Sequence, residues 1–289
     1  MLNGSAVALV TPMKRNGEID WVRFGDLIEW QIDQGTGAII PVGTTGESAT
    51  VSMGEHFSLV KSAVEAAAGR VPVIAGTGAN STSEAIELTK AAKDSRADAC
   101  LLVTPYYNKP TQSGLFQHFS AIARSVELPQ ILYNVPSRTG CDLLPETIAH
   151  LNESELVIGI KEATGDLERA KAIMSATDIS IYSGDDETSC DLMLMGGSGT
   201  ISVTANVAPM KMAKMSKAAL SGNFELAKDL DSELSGLHRD LFLESNPIPV
   251  KWALHEMGKI DIGIRLPMTE LAPEHHRLLR KSLSQAGVI

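Results

Sequence analysis

Short apolar runs rich in β-branched residues alternate along the chain with longer segments whose apolar residues recur at helical spacing. Runs bounded by small or polar residues are typical of buried strands, and a spacing of three to four residues is typical of amphipathic helices. We predict eight strands, at residues 6–10, 38–42, 71–75, 99–103, 130–134, 157–161, 179–182 and 199–203. Helices are predicted between them at residues 21–34, 55–68, 83–95, 115–125 and 167–176.

The predicted strands are apolar almost throughout, which indicates a parallel sheet covered on both faces. Eight consecutive βα units close naturally into a (β/α)₈ barrel. The alternative is an open, doubly wound sheet. However, Val10-Thr11-Pro12-Met13 follows the first strand where a dinucleotide fold would carry Gly-x-Gly-x-x-Gly. We therefore predict an α/β protein with a TIM-barrel fold.

The chain after the eighth strand has helical periodicity and no further strand. Helical patterns occupy residues 209–221, 223–243 and 250–257. No long linker or low-complexity tract separates them from the rest. We expect residues 1–222 to form the barrel and residues 223–289 to form a small C-terminal helical extension that does not fold separately.

Composition narrows the classes of partner. The 289 residues carry a formal net charge of -10 without a basic run, which argues against nucleic acid. No apolar stretch has the length of a membrane span, and the first residues have no positively charged leader pattern. The three cysteines lie far apart without a Cys-x-x-Cys pair, which favours a reducing compartment. We expect a cytoplasmic protein.

The residues that follow the strands carry the candidate chemistry, because catalytic groups of (β/α)₈ barrels lie at the carboxyl ends of the strands. One lysine, three tyrosines, several hydroxyls and one arginine occur there, without a histidine cluster or a cysteine. This set suits carbonyl chemistry. No fingerprint of a metal, nucleotide or flavin site is present, so we predict no cofactor.

Lys161 ends the sixth predicted strand. An uncharged lysine amine is a nucleophile that condenses with a ketone to a Schiff base, from which an enamine can form. The alternative is a lysine at the barrel rim that pairs with Glu162 or another carboxylate. Tyr133, on the neighbouring strand, is either a proton donor and acceptor for this chemistry or an ordinary core tyrosine.

Two further groups suit carboxylate binding. Thr44 and Thr45 lie between glycines and offer hydroxyls and backbone N–H groups, although the same sequence also makes an ordinary turn. Arg138 offers a two-pronged clamp for a carboxylate, or forms a surface ion pair.

Three motifs together closely resemble the pyruvate-dependent class I aldolase family. They are Gly43-Thr44-Thr45-Gly46-Glu47, Tyr133-Asn134-Val135-Pro136-Ser137-Arg138-Thr139-Gly140 and Gly159-Ile160-Lys161-Glu162-Ala163. The similarity extends over residues 4–206 and returns at residues 246–252 and 265–268. Each motif falls at a predicted strand end and in the family's order.

The resemblance implies a carbon-carbon lyase or synthase of bacterial L-lysine (diaminopimelate) biosynthesis. Lys161 would form a Schiff base with pyruvate, and the resulting enamine would attack the aldehyde of L-aspartate 4-semialdehyde. Tyr133, Thr44 and Tyr107 would form a hydroxyl proton relay. Tyr107 would reach into the site of a partner subunit, so the enzyme would be a homo-oligomer. The family favours a tetramer built from two dimers.

The resemblance also assigns the groups that bind the substrates. Thr45 and the adjacent backbone N–H groups would hold the pyruvate carboxylate, and Arg138 would bind the carboxylate of the semialdehyde. The backbone at Ile201 and Gly184 would line the lysine pocket. The run Ser137-Arg138-Thr139-Gly140 distinguishes the chain from sibling aldolases of sugar acids, such as N-acetylneuraminate lyase, which do not usually carry it.

The family carries a feedback site for L-lysine at a subunit interface. The matching residues here are Ser48, Ala49, His56, Asn80, Glu84 and Tyr106. Met53 stands where feedback-sensitive members of the enterobacterial type carry a histidine, so we expect weaker inhibition, because a thioether replaces a polar contact. Two alternatives stay open: a sugar-acid aldolase that uses the same lysine, and a noncatalytic regulator that binds an amino acid.

Overall fold

Eight parallel strands form the centre of the computed structural model, which describes residues 3–289. Met1 and Leu2, at the start of the predicted barrel segment, lie outside the described residues. The strands are β1 (Gly4–Ala8), β2 (Ala38–Ile40), β3 (Ile74–Gly76), β4 (Ala99–Val103), β5 (Gln130–Asn134), β6 (Val157–Glu162), β7 (Ser180–Ser183) and β8 (Gly199–Ser202). The predicted fold class is confirmed.

The sheet is a closed ring. Each strand pairs in parallel with the next one in the chain from β3 to β8, β8 pairs with β1, and β1 pairs with β2. A bridge between Ile39 on β2 and Val73, the residue before β3, completes the circle. In this register Tyr133 on β5 lies opposite Lys161 on β6. All eight strands therefore end at the same mouth.

Helices surround the sheet and continue beyond it. They are α1 (Trp21–Asp33), α2 (Met53–Ala67), α3 (Thr82–Asp94), α4 (Gln112–Ser125), α5 (Pro136–Thr139), α6 (Pro145–Leu151), α7 (Leu167–Ala176), α8 (Ser189–Leu194), α9 (Pro209–Leu220), α10 (Phe224–Asp240), α11 (Ile248–Glu256) and α12 (Pro273–Gln285). A 3₁₀ turn at Thr204–Asn206 follows β8. Within residues 3–289, no helix is both long enough and apolar enough to cross a membrane.

Local sequence explains where many of these helices begin. Ser52 caps α2 and exchanges hydrogen bonds with Glu55, which forms a capping box. Asp166 accepts the N–H groups of Glu168 and Arg169 at the start of α7. Proline occupies the first turn of α5, α6, α9, α11 and α12, where its missing N–H group costs no helical hydrogen bond.

Two apolar layers hold the fold together. A smaller cluster fills the inside of the barrel, and a larger one fills the space between the sheet and the helices. The larger cluster includes Leu237, Leu254 and Leu279 from the C-terminal helices together with Val7 from β1. The C-terminal helices thus share one core with the barrel. The expected boundary between residues 222 and 223 falls in the turn between α9 and α10.

The predicted strands coincide with the observed ones within a few residues. The largest shift is at the start of β3, which was expected at residue 71 and lies at Ile74. β1 was expected at residues 6–10 and starts at Gly4, because that glycine pairs with Gly199 on β8. Four helices were not predicted: α5, α6, α8 and α12. The first three have only four to seven residues, too few to display a helical period, and α12 is strongly polar.

Candidate active site

Lys161 lies inside the barrel near its mouth. Because side chains alternate along a strand, Lys161 and its partner Tyr133 face the interior while Glu162 faces the helices. The lysine side chain is buried, and Nζ lies 4.4 Å from the centroid of the Tyr133 ring. Within residues 3–289, no carboxylate forms an ion pair with Lys161. The amine therefore has an aromatic neighbour and, among the described residues, no counter-ion.

Glu162 is occupied elsewhere. Arg169 on α7 donates from Nε to its carboxylate at 2.9 Å, and the side-chain amide of Asn134 approaches both of its oxygens. The backbone N–H of Thr164 also donates to Glu162. The alternative in which Lys161 pairs with Glu162 is wrong, because the strand directs the two side chains to opposite faces.

A cavity of about 230 Å³ surrounds the lysine, and we call it the inner cavity. Its wall includes Lys161, Tyr133, Thr44, Thr45, Ser137, Arg138, Gly184, Asp185 and Asn246. A methyl group at Gly184 would lie 2.7 Å from Cε of Lys161 and 2.6 Å from Cβ of Ala163. Gly184 therefore leaves space for the lysine side chain, and it lines the inner cavity.

The loop after β2 supplies the opposite wall. The N–H of Gly46 donates to the carbonyl of Gly43 at 3.0 Å, which closes a turn around Thr44 and Thr45. The backbone N–H groups of these two threonines have no acceptor within residues 3–289. Successive unpaired N–H groups in a turn form a site for an anion. The loop can therefore receive a carboxylate beside the Lys161 amine.

This loop is strained and firmly anchored. Val42 and Glu47, on either side of it, have φ values of 53° and 58°, a conformation rarely adopted by residues other than glycine. Glu47 forms a buried ion pair with Lys251 on α11 and accepts the backbone N–H of Arg265 at 3.1 Å. Burial lowers the pKa of Lys251, and the Glu47 carboxylate opposes this shift. The C-terminal helices thus fix the loop.

Arg138 projects from α5, directly after the strand that carries Tyr133. Its Nη2 donates to the backbone carbonyl of Asn246 at 3.3 Å. Arg138 forms no ion pair within residues 3–289, so the surface ion pair considered as an alternative is absent there. Arg138 lines the inner cavity and a second cavity next to it.

The second cavity, of about 260 Å³, is called the outer cavity here. It shares Thr44, Val135, Arg138 and Asn246 with the inner cavity. Three residues of the predicted L-lysine set line it: Ser48, Ala49 and Tyr106. The two cavities thus have a common wall.

The other predicted L-lysine ligands lie on α2, on α3 and in the loop between β3 and α3. The side-chain amide of Asn80 donates to the carbonyl of Tyr106 at 3.1 Å. Burial, followed by the negative charge of Glu84, raises the pKa of Tyr106. His56 is buried on α2, its Nε2 lies 2.7 Å from the carbonyl of Gly76, and burial lowers its pKa. Met53, the first residue of α2, is half-buried.

Two of the predicted catalytic and substrate-binding residues lie outside the inner cavity. Tyr107 is 89% exposed in this chain, with a φ of 74°. Ile201 belongs to the apolar cluster inside the barrel and does not line the inner cavity. Within residues 3–289, no group of three or more His, Cys, Asp or Glu side chains is arranged to hold a metal ion.

Three contributors to the site were not assigned from the sequence: Asn246, Glu47 and Lys251. Glu47 was noted only as part of a motif, and the other two belong to the segment at residues 246–252, where the family similarity returns. That similarity was the available signal. It could not reveal that the segment folds back onto the mouth of the barrel.

The fold and the site define a (β/α)₈ barrel with a buried lysine at its mouth that forms no ion pair within residues 3–289, and with a loop of unpaired N–H groups opposite. Residues 1–286 match the Dihydrodipicolinate synthetase family, and the chain belongs to this family. A relative from Alcanivorax borkumensis named 4-hydroxy-tetrahydrodipicolinate synthase is 59% identical, with 100% of this chain and 99% of the relative covered.

Solved structures agree with this membership. The chloride-inhibited dihydrodipicolinate synthase from Acinetobacter baumannii, complexed with pyruvate, is 57% identical, with a TM-score of 0.99 and 100% of both chains covered. The enzyme from Cyanidioschyzon merolae with lysine bound is 39% identical, with a TM-score of 0.96, 100% of this chain covered and 99% of the other.

The contact between Gly184 and Lys161 generates a prediction about stability. Gly184→Ala should lower the free energy of unfolding by about 1–3 kcal/mol, because the added methyl group overpacks the lysine pocket. Urea or thermal unfolding at equal protein concentration measures the change. Gly25→Ala in α1 is the matched control, since no atom lies within 4 Å of the added methyl group and alanine favours a helix. Equal stability of Gly184→Ala and wild type would contradict the packing.

Proposed function

We propose that the chain is a 4-hydroxy-tetrahydrodipicolinate synthase, which condenses pyruvate, held as a Schiff base on Lys161, with L-aspartate 4-semialdehyde. The observation that carries the proposal is the Lys161 amine, buried beside Tyr133 and facing a loop with two N–H groups; in the described part of the chain the amine has no counter-ion and these N–H groups have no acceptor. An amine and an anion site in one cavity suit a keto acid. The names of the relatives support the same reaction.

The chemistry follows from the amine. The uncharged Lys161 amine attacks the keto carbon of pyruvate, and loss of water gives an iminium ion. The iminium withdraws electrons, so the neighbouring methyl group loses a proton and an enamine forms. The enamine carbon then bonds to the aldehyde carbon of the semialdehyde. The amino group of the semialdehyde attacks the iminium carbon, which closes the ring and releases the Lys161 amine. Tyr133, within reach of the amine, and Thr44 pass the protons that these steps require.

The two substrates each carry a carboxylate, and a different group binds each of them. The pyruvate carboxylate binds the N–H groups of Thr44 and Thr45 and the Thr45 hydroxyl. Arg138 lies at the junction of the inner and outer cavities and takes the carboxylate of the semialdehyde, for which a guanidinium provides a two-pronged clamp.

The proton relay requires a second subunit. In our proposal Tyr107 completes the site of a partner subunit, and two such dimers form a homotetramer. Its 89% exposure in a single chain supports this role, because a catalytic tyrosine needs a protein environment. The cytoplasm is the proposed location, in keeping with a biosynthetic reaction on soluble substrates.

L-lysine is the proposed feedback inhibitor. It binds at Ser48, Ala49, His56, Asn80, Glu84 and Tyr106, next to the outer cavity. The Glu84 carboxylate suits an ammonium group, and the side-chain amide of Asn80 suits a carboxylate. The shared wall at Thr44 and Arg138 gives a route by which occupancy of this site reaches the inner cavity.

The direct test of the proposed function is reductive trapping. Borohydride reduction in the presence of pyruvate should add one pyruvate to the wild-type chain, read by mass spectrometry, and Lys161→Ala should remain unmodified. Lys171→Ala, an exposed lysine paired with Glu168, is the control and should be trapped like wild type.

Two outcomes would overturn the proposal. An unmodified wild-type chain would favour a noncatalytic binder of amino acids. An adduct together with turnover of N-acetylneuraminate or ketodeoxygluconate in place of aspartate semialdehyde would indicate a sugar-acid aldolase.

Met53 generates a separate prediction about regulation. Titration with L-lysine should inhibit the condensation, at higher concentrations than in relatives with histidine at this position. Met53→His should shift the inhibition curve to lower L-lysine, because the imidazole restores a polar contact. Activity that is unchanged up to high millimolar L-lysine would contradict the proposed feedback site.

A further inference from the structure

The segment at residues 246–252 reaches from the C-terminal extension into the mouth of the barrel, and the reaction described above uses none of its side chains. Its first residue, Asn246, is only 4% exposed. Asn246 lines both the inner and the outer cavity. It therefore lies at the junction where the two substrates are proposed to meet.

Asn246 contacts a substrate-binding group through its side chain. Its Nδ2 donates to Oγ1 of Thr45 at 2.9 Å, across 201 positions of the chain, and the bond is buried. A threonine hydroxyl has one proton and two acceptor positions. Because Oγ1 of Thr45 accepts from the amide, its own proton stays available for another acceptor. Within residues 3–289, the Thr45 hydroxyl donates to no group.

The opposite orientation of the Asn246 side-chain amide would leave the Thr45 hydroxyl without a free proton. If the carbonyl oxygen of Asn246 faced Thr45, the hydroxyl would donate to it and its proton would be occupied. In the structure Nδ2 faces Thr45, while Oδ1 has no hydrogen-bond partner within residues 3–289. The backbone carbonyl of Asn246 accepts from Arg138 at 3.3 Å, so the same residue contacts both predicted carboxylate binders.

We propose that Asn246 is a positioning residue that holds the Thr45 hydroxyl with its proton free to donate to the carboxylate of the keto acid. This inference rests on the proposed function, because the proposed function places the pyruvate carboxylate at the loop that contains Thr45. The Asn246 side chain acts through Thr45 and does not touch the reacting atoms. In this proposal the barrel provides the Lys161 amine. The C-terminal extension orients the Thr45 hydroxyl in the loop that binds the substrate carboxylate.

The test measures the pyruvate concentration that gives half-maximal borohydride trapping. Asn246→Ala should raise it about tenfold, the effect of losing a hydrogen bond to a charged group. Thr45→Val should raise it to a similar extent or more. The double variant should be no worse than Thr45→Val alone, because in the proposal the Asn246 side chain acts on the carboxylate through Thr45. The proposal would be overturned if the double variant showed the product of the two single fold-increases. It would also be overturned if Asn246→Ala left the half-saturating pyruvate concentration unchanged.

A second substitution keeps the test valid if Asn246→Ala does not fold. Asn246→Asp has nearly the same shape but only accepts hydrogen bonds, so it should capture the Thr45 proton. It should raise the half-saturating concentration by a larger factor in the presence of Thr45 than in a Thr45→Val background. Equal factors in the two backgrounds would overturn the proposal, because they would indicate a charge effect independent of Thr45.

The controls separate this inference from the proposed function. Asn152→Ala removes a half-buried asparagine that bonds to Asp178 far from the cavities, and should trap pyruvate like wild type. Absence of any adduct in the wild-type chain would refute the proposed function itself. An adduct in wild type with the same half-saturation in Asn246→Ala and Asn246→Asp would refute only the role of Asn246.

Discussion

The site depends on one constraint, which is that a lysine amine is buried at the mouth of the barrel and that no carboxylate of residues 3–289 pairs with it. The alternation of side chains along β6 imposes this. Lys161 faces inward, while the adjacent carboxylate of Glu162 faces outward and is satisfied by Arg169. Pyruvate can therefore reach the amine without displacing a carboxylate of residues 3–289, and an amine of this kind condenses with ketones.

The surroundings of the amine are shaped by groups from distant parts of the chain. Gly184 leaves the space for the lysine, and the loop between Val42 and Glu47 is held in a strained conformation opposite it. The buried pair of Glu47 and Lys251 ties this loop to the extension. Removing one partner of such a pair leaves a buried charge alone, at a cost of several kcal/mol, so the loop is not free to relax.

Much of the fold and of the reactive centre could be predicted from the sequence because both follow from local patterns. The apolar runs located the strands, and barrel geometry located the residues at their ends, including Lys161, Tyr133 and Arg138. Contacts between segments about 200 positions apart leave no such pattern, so the bond between Asn246 and Thr45 could not be foreseen. Tyr107 is a related case, since its predicted role depends on a second subunit.

The most direct test of the central claim is a crystal structure of the protein soaked with pyruvate. The account predicts continuous electron density from Nζ of Lys161 to the keto carbon, with the carboxylate against the N–H groups of Thr44 and Thr45. Pyruvate bound without a covalent bond to Lys161, or with its carboxylate away from the Thr44–Thr45 loop, would contradict it.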